Sequence, residues 1–359
     1  MIPLYLFLLI LCVFAIQIRH ADRCQKRLHY EQALDLELAE PDQVITLSST
    51  LRNVGRLPIF YIDLMEILPQ GIHPEEDEDW CRQNLRRIST GFSTSSHLYL
   101  LGRRNYTRSF RFSLPERGRY SFGQYYLTTG DYLGLNTSNR EAPIKQKIVV
   151  MPRRWEDPRT AVTLGGYLGE LSVRRFLFED PVLTIGVREY SGTEPLKQID
   201  WKQTARAGKL QVRKHDYTVD ANVTVLLNLA GLPAEQESCY RITRTVCETL
   251  ERRRVPYEFI GNGDLFGPRG ELNWYSEGLG GRHFRTLMYA LGQSRGVVYC
   301  PFSQLVERCL RRRRRSWGYI VITPPLGEKD QEALQALRRL SETEPCLLIG
   351  RAEEGGEAL

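Results

Sequence analysis

The chain has 359 residues, of which 42% are hydrophobic and 26% charged. That is enough for about two domains with buried cores plus a short appendage, and it excludes a disordered chain. With 29 glycines and 18 prolines it is not collagenous or linker-like. The net charge of +6, from 49 basic and 43 acidic residues, points by itself to neither nucleic acid nor a membrane surface.

Eight cysteines occur singly, with no CxxC pair. This pattern predicts reduced, mostly buried thiols rather than a disulfide framework or a zinc site, and favours a body folded in the cytoplasm.

From Ile2 to Ile18 the chain is apolar except for Gln17, a run of about 17 residues at the lower limit for crossing a bilayer. No basic residue precedes it, and Arg19, Arg23, Lys26 and Arg27 follow it against a single Asp22. Residues 1–20 therefore read as a single-pass anchor in the cytoplasmic membrane, with the body facing the cytoplasm. A buried core helix or a removed signal segment is the alternative.

Residues 28–150 read as β structure. Alternation runs through Leu34–Leu38, Val44–Ser48 and Ser109–Leu114 and around Tyr120–Phe122, with Pro115, Gly118, Gly123, Gly130 and Gly134 as punctuation. Short strands with turn signals and no long amphipathic helix predict an antiparallel β-sandwich. The acidic cluster Glu75–Asp79 reads as a solvated loop, with a cation site as a weaker second reading.

Residues 151–220 form a connector. Leu183–Tyr190 predicts a strand, a turn runs through Gly192 to Pro195, Ile199–Arg206 follows, and Leu210–Arg213 is strand again. After Asn222 the period changes. Apolar runs at Val223–Leu229, Tyr257–Ile260, Tyr319–Thr323 and Cys346–Ile349 alternate with helical faces. Those faces carry Cys239, Ile242, Val246 and Leu250, then Phe284 to Leu291, Phe302 to Leu310, and Leu334, Leu337 and Leu340. Strand alternating with helix predicts an open, doubly wound α/β domain over 221–350, and residues 351–359 read as a tail. The predicted fold class is thus α+β multidomain: an N-terminal membrane helix, an antiparallel β-sandwich and a doubly wound α/β domain.

The search for chemistry yields little. The histidines show no metal-ligand spacing, and there is no phosphate loop or GxSxG elbow. Gly261-Asn262-Gly263 reads as a turn and Cys300 as a buried thiol. Ligands of an open parallel sheet bind beyond the carboxyl end of its first strand, here Leu227–Leu232. Asn228 offers one neutral carbonyl there, and Ala230 and Leu232 offer nothing a cation could use, so no metal and no cofactor are expected. The run Arg311, Arg312, Arg313, Arg314 and Arg315 suits the negative end of a helix dipole. As a functional surface it would meet anionic lipid or an acidic partner. No aromatic platform accompanies it, so nucleic acid is not expected.

The stretch Val187-Arg188-Glu189-Tyr190-Ser191-Gly192-Thr193-Glu194-Pro195-Leu196-Lys197-Gln198-Ile199-Asp200-Trp201-Lys202-Gln203-Thr204-Ala205-Arg206 resembles the signature of the domain of unknown function 58 (DUF 58) family: R-E-Y, a turn, then I-x-W-K-x-x-A-R. Arg117–Gly123 and Asp131–Leu135 look like two further elements of that family. Thr193 and Glu194 depart from its usual Gly-Asp turn, Tyr132 departs from its D-P-F-G-L element, and members usually carry two membrane spans. The resemblance implies a bacterial cytoplasmic-membrane protein with a von Willebrand factor A-like α/β region. It also implies partnership with a MoxR-type AAA ATPase. The metal motif of such a region, Asp-x-Ser-x-Ser, is replaced at every ligand position by Asn228, Ala230 and Leu232.

Arg188, Glu189, Tyr190, Glu194, Asp200, Trp201, Lys202 and Arg206 are the candidate interaction residues. Their clustering fits either an ion-paired clasp holding the connector or a docking surface anchored on Trp201 and the arginines. The function expected is a membrane-anchored, non-catalytic adaptor working with the ATPase in protein maturation or envelope assembly. The alternatives are a hydrolase using Asp200 or Glu194 and a metal-dependent adhesion module.

Overall fold

In the computed structural model the described residues are 7, 12, 23–75, 81, 83–131, 137–175, 184–192, 195–215, 222–265, 273–311, 316–341 and 343–352. The chain forms two compact units. Unit 1 comprises Met1–Arg153 with Met288–Arg295, and unit 2 comprises Arg154–Leu287 with Gly296–Leu359.

Unit 1 is built from β1 (Leu28–Leu34), β2 (Leu38–Ala39), β3 (Ile45–Asn53), β4 (Ile59–Pro69), β5 (His73–Pro74), β6 (Leu85–Ile88), β7 (Gly91–Leu100), β8 (Asn105–Ser113), β9 (Gly118–Gly130) and β10 (Thr137–Val150). These form a four-stranded sheet, β1-β3-β8-β5, and a six-stranded sheet, β2-β10-β9-β4-β7-β6. All pairings are antiparallel except that of β2 with β10. Period-2 alternation supplies the inward rows: Ile45, Leu47, Ser49 and Leu51 on β3, and Ile62, Leu64, Glu66 and Leu68 on β4. Each row is polar at one position, and the two positions meet.

Glu66 is buried and accepts hydrogen bonds from the Tyr30 and Ser49 hydroxyls, from Thr94 Oγ1 (3.2 Å) and from the Arg108 guanidinium. Arg108 also donates to Ser96 Oγ and Thr94 Oγ1, both at 2.9 Å. This network divides the core into two apolar clusters. One contains Leu47, Leu68, Phe110 and Phe112, the other Leu28, Leu51, Leu64 and Tyr125. Burial and the Glu66 carboxylate raise the Tyr30 phenol far above its ordinary range. Arg117, in the R-G-R-Y stretch, donates from Nη1 to the carbonyls of Leu291 (2.8 Å) and Ser294 (2.7 Å) within the same unit.

Unit 2 begins with α1 (Pro158–Arg175), whose Leu164, Leu168 and Leu171 are buried. Asp157 starts the helix by accepting from the Arg159 and Thr160 amides and the Thr160 hydroxyl, which holds its carboxyl below the usual range. The connector follows: β11 (Thr184–Glu189), a 3-10 turn (Leu196–Gln198), α2 (Trp201–Ala207) and β12 (Gln211–His215), with β11 and β12 paired antiparallel.

Next come β13 (Val223–Leu227), α3 (Pro233–Arg253), β14 (Tyr257–Gly261), β15 (Asn273–Gly278), α4 (Gly281–Gln293, counted in unit 1 from Met288 onward), α5 (Phe302–Arg311), β16 (Gly318–Thr323), α6 (Glu328–Leu340) and β17 (Cys346–Ile349). Their sheet order is β15-β14-β13-β16-β17, parallel except for the edge strand β15. The order reverses at β13, which places the topological switch point between the carboxyl ends of β13 and β16. Strands β13, β14 and β16 are buried along their whole length, as continuous apolar runs require of a sheet covered on both faces. One face packs Leu226, Ile260 and Val321 against Phe302, Leu305 and Leu337 of α5 and α6.

The fold-class expectation needs one correction. The architecture is multidomain, α+β and rich in strands, but among the described residues no helix is long and apolar enough to cross a membrane. The longest helices, α1 and α3, both carry charged residues along their length. The single-pass anchor and the placement in the bacterial cytoplasmic membrane with the body facing the cytoplasm are corrected with it. Apart from residues 7 and 12, the 1–20 segment itself lies outside the described residues.

Candidate functional site

Three places carry the predicted site residues: the switch-point crevice, the connector and the arginine run that begins at the end of α5. The crevice begins with Asn228, which the last buried residues of β13 carry to the sheet's carboxyl edge. Asn228 Nδ2 donates to Thr323 Oγ1 (2.9 Å), and its Oδ1 accepts from the Ala230 amide (3.0 Å) and from Asn262 Nδ2 (2.7 Å). Asn262 Oδ1 accepts from the Leu229 amide (2.9 Å), and its Nδ2 also reaches the Cys300 carbonyl (3.1 Å). Thr323 donates to the Pro324 carbonyl (3.0 Å). Asn228, Asn262 and Thr323 are all buried.

Leu232, the other end of the degenerate motif, precedes α3, and its amide donates to Glu235 Oε2 (2.8 Å). A side chain at Gly231 would collide with Pro324 Cγ at 2.6 Å, so the loop is closed against the end of β16. The crevice is a neutral amide–hydroxyl network with its bonds turned inward. Among the described residues no group of three metal-ligating side chains exists. Cys300, at the same edge, is buried, and burial raises its thiol.

The connector uses its polar groups differently. Asp200 caps α2: Oδ1 accepts from the Lys202 and Gln203 amides (both 3.1 Å), and Oδ2 lies 3.4 Å from Arg213 Nε. The Gln203 amide and Arg213 hold its carboxyl below the usual range. The Asp200 amide bonds to the Gln211 carbonyl (2.8 Å), the Gln211 amide to Thr204 Oγ1 (3.0 Å) and the Tyr190 amide to the Leu210 carbonyl (2.9 Å). Buried Ile199 and Val212 bridge beneath. Gly208 ends α2 at φ 67°, a left-handed cap that favours glycine.

Around this small frame the remaining candidates face water. Trp201 is 64% exposed and Leu196 68%, and Lys202 and Arg206 are exposed with no ion pair among the described residues. Arg188 and Glu189 are exposed, Tyr190 is half-buried, and Glu189 pairs with Lys209 at 3.2 Å. Seven basic residues stand against three acidic ones over 184–215.

Glu194 lies outside the described residues, as do the side chain of His215 and Arg312–Arg315; Arg311 is spent within its own helix on Glu307 (2.6 Å). The Glu76–Asp79 part of the acidic cluster, Tyr132–Leu135 and the tail from Glu353 onward also fall outside them. Sequence reasoning missed Asn262, Thr323, Thr204 and Arg213. A strand-end Asn-Gly and an aspartate directly before a helix were the available signals for the first site and for the cap.

No family model matches the chain. The uncharacterized protein YeaD of Bacillus subtilis (strain 168) is 20% identical over 295 residues, covering 78% of this chain and 66% of that protein, just under two thirds of its length. Among solved structures, the CARDB domain of the PF1109 protein from Pyrococcus furiosus is 12% identical over 34% of this chain and 91% of that one, with a TM-score of 0.22. The GAE domain of GGA2p from Saccharomyces cerevisiae is 12% identical over 33% of this chain and 89% of that one, also at 0.22. Likenesses of this size carry no argument about function.

Proposed function

We propose that this chain is a non-catalytic adaptor, and that its connector docks a MoxR-type AAA ATPase acting in protein maturation or envelope assembly. The observation that carries the reading is the exposure of Trp201. An exposed indole in the same short segment as exposed Leu196, Lys202 and Arg206, on a frame already held by Asp200, Thr204 and Gly208, has the composition of an interface anchor. The resemblance of residues 187–206 to the DUF 58 signature supplies the class of partner. The strand reversal at β13 supports the von Willebrand factor A-like reading of the α/β region, and the inward-turned amides of the crevice favour a role through contacts over metal-dependent adhesion.

The test is a titration of the purified chain against the MoxR-type ATPase of the same genome. Trp201→Ser and Arg206→Ser are each expected to weaken binding at least tenfold, about 1.4 kcal/mol or more, with Tm unchanged. Failure of the wild-type chain to bind, or undiminished binding by both variants, overturns the reading.

A further inference from the structure

We propose that unit 2 carries a binding site for a small anionic amphiphile, an apolar body bearing one oxyanion headgroup, at the amino ends of the parallel strands. This is the end of the sheet away from Asn228, and the inference is independent of the docking reading. A cavity of about 500 Å³ lies there. Leu168 and Leu171 of α1, Val223, Pro256 and Trp317 give it apolar walls, and Arg253 and Arg254 give it charge. A volume of this size, apolar with a few polar groups, is that of a small-molecule site.

Two local features oppose stability and are explained by a ligand. Arg254 sits at φ 56°, ψ 41° at the end of α3, a left-handed cap position where glycine or asparagine is the usual choice. Arg252 and Arg253 already place cations in the last turn, so the helix dipole does not require a third arginine on a strained backbone. Strain of this kind is retained where a side chain must be aimed. Both Arg253 and Arg254 are exposed and form no ion pair among the described residues, which leaves two guanidinium forks for one carboxylate or phosphate.

The second feature is Gly169, in the interior of α1, where glycine weakens a helix. Gly169 lines the cavity, and a Cβ built there meets nothing within 4 Å, so the position has room for a larger side chain. A Cβ at Gly165, one turn earlier, would lie 3.7 Å from Arg253 Nη2, which places that guanidinium over the same helix.

The full chain is titrated calorimetrically with octanoate and with octyl phosphate, and with octanol as the uncharged control. Saturable binding of at least one anion, at least tenfold tighter than octanol, is expected, and the stronger of the two anions identifies the headgroup. Arg254→Gly relaxes the backbone and removes a guanidinium, so Tm should rise while anion affinity falls at least tenfold, a combination that a structural role does not produce. Gly169→Leu fills the cavity and should abolish binding with helix content kept. Absence of saturable binding by either anion, equal binding of octanol, or unchanged affinity in Arg254→Gly overturns the proposal.

Discussion

The crevice at the end of β13 and the connector between β11 and β12 are both rich in hydrogen-bonding side chains, and they use them in opposite ways. Asn228, Asn262 and Thr323 are neutral and buried, and they bond to one another and to the backbone of the loops they join. Trp201, Lys202 and Arg206 are turned to water, while the side chains of Asp200, Thr204 and Arg213 bond within their frame. A polar group with its bonds closed inside the fold contributes stability. One left in water beside exposed apolar surface is available for recognition. The difference gives the first region a structural task, and it is the exposed second region to which the docking proposal gives an interaction task.

The most severe test of that division is Asn262→Leu. The change keeps the volume but removes an acceptor for the Leu229 amide and donors to Asn228 Oδ1 and the Cys300 carbonyl, all in a buried setting. Unsatisfied buried groups cost about 1–3 kcal/mol each, so a loss of roughly 3 kcal/mol is expected in urea unfolding. A loss below about 1 kcal/mol would mean that the crevice is not the structural element this comparison makes it.

An intermediate effect is expected at Asp200→Ala, which removes the α2 cap and the Arg213 contact. Hydrogen exchange at the Lys202 and Gln203 amides should quicken severalfold while unit 1 stays protected. The effect should depend on pH in one direction. A carboxyl with its folded pKa below the unfolded value of about 3.9 stabilises only when ionised. Its contribution is complete above that pH and disappears as pH falls through the lower folded value. Connector exchange in the wild-type chain should therefore approach that of the variant in acid and differ from it at neutral pH.

Much of unit 2 was legible because its strands are continuous apolar runs and its helices carry leucine faces. Cys346–Ile349 and the face of Leu334 and Leu337 needed no tertiary knowledge. Helix α1 escaped attention because Gly165, Gly166 and Gly169 obscure it, although Leu164, Leu168 and Leu171 have the right spacing. In the sandwich, β7 reads Phe-Ser-Thr-Ser-Ser and shows no apolar alternation. Its Thr94 and Ser96 face a glutamate and an arginine from other strands, and Glu66 lies 36 positions from Tyr30 and 42 from Arg108. The same holds for the crevice: Asn228 was found from its place after a strand, but Asn262 and Thr323 lie 34 and 95 positions away. Partners at such distances are set by strand order and not by local pattern. The exposure of Trp201 was equally hidden, since a tryptophan among charges reads as well for a buried clasp as for a surface.

The smallest expected effect separates those two readings most cleanly. Glu189 and Lys209 stand 3.2 Å apart with both side chains about two-thirds exposed or more, and ion pairs in that setting are worth about 0–1 kcal/mol. Glu189→Gln should therefore change unfolding free energy by less than about 0.5 kcal/mol. In a clasp the same change would break a buried pair and cost several times more. For a docking surface it does something else: it removes one of the few negative charges on a face where basic residues predominate. If the proposed ATPase partner meets this face with acidic residues, association should then become faster, and the gain should shrink as salt is added. Stability loss without faster association would return these charges to the fold; faster association at unchanged stability gives them to the partner.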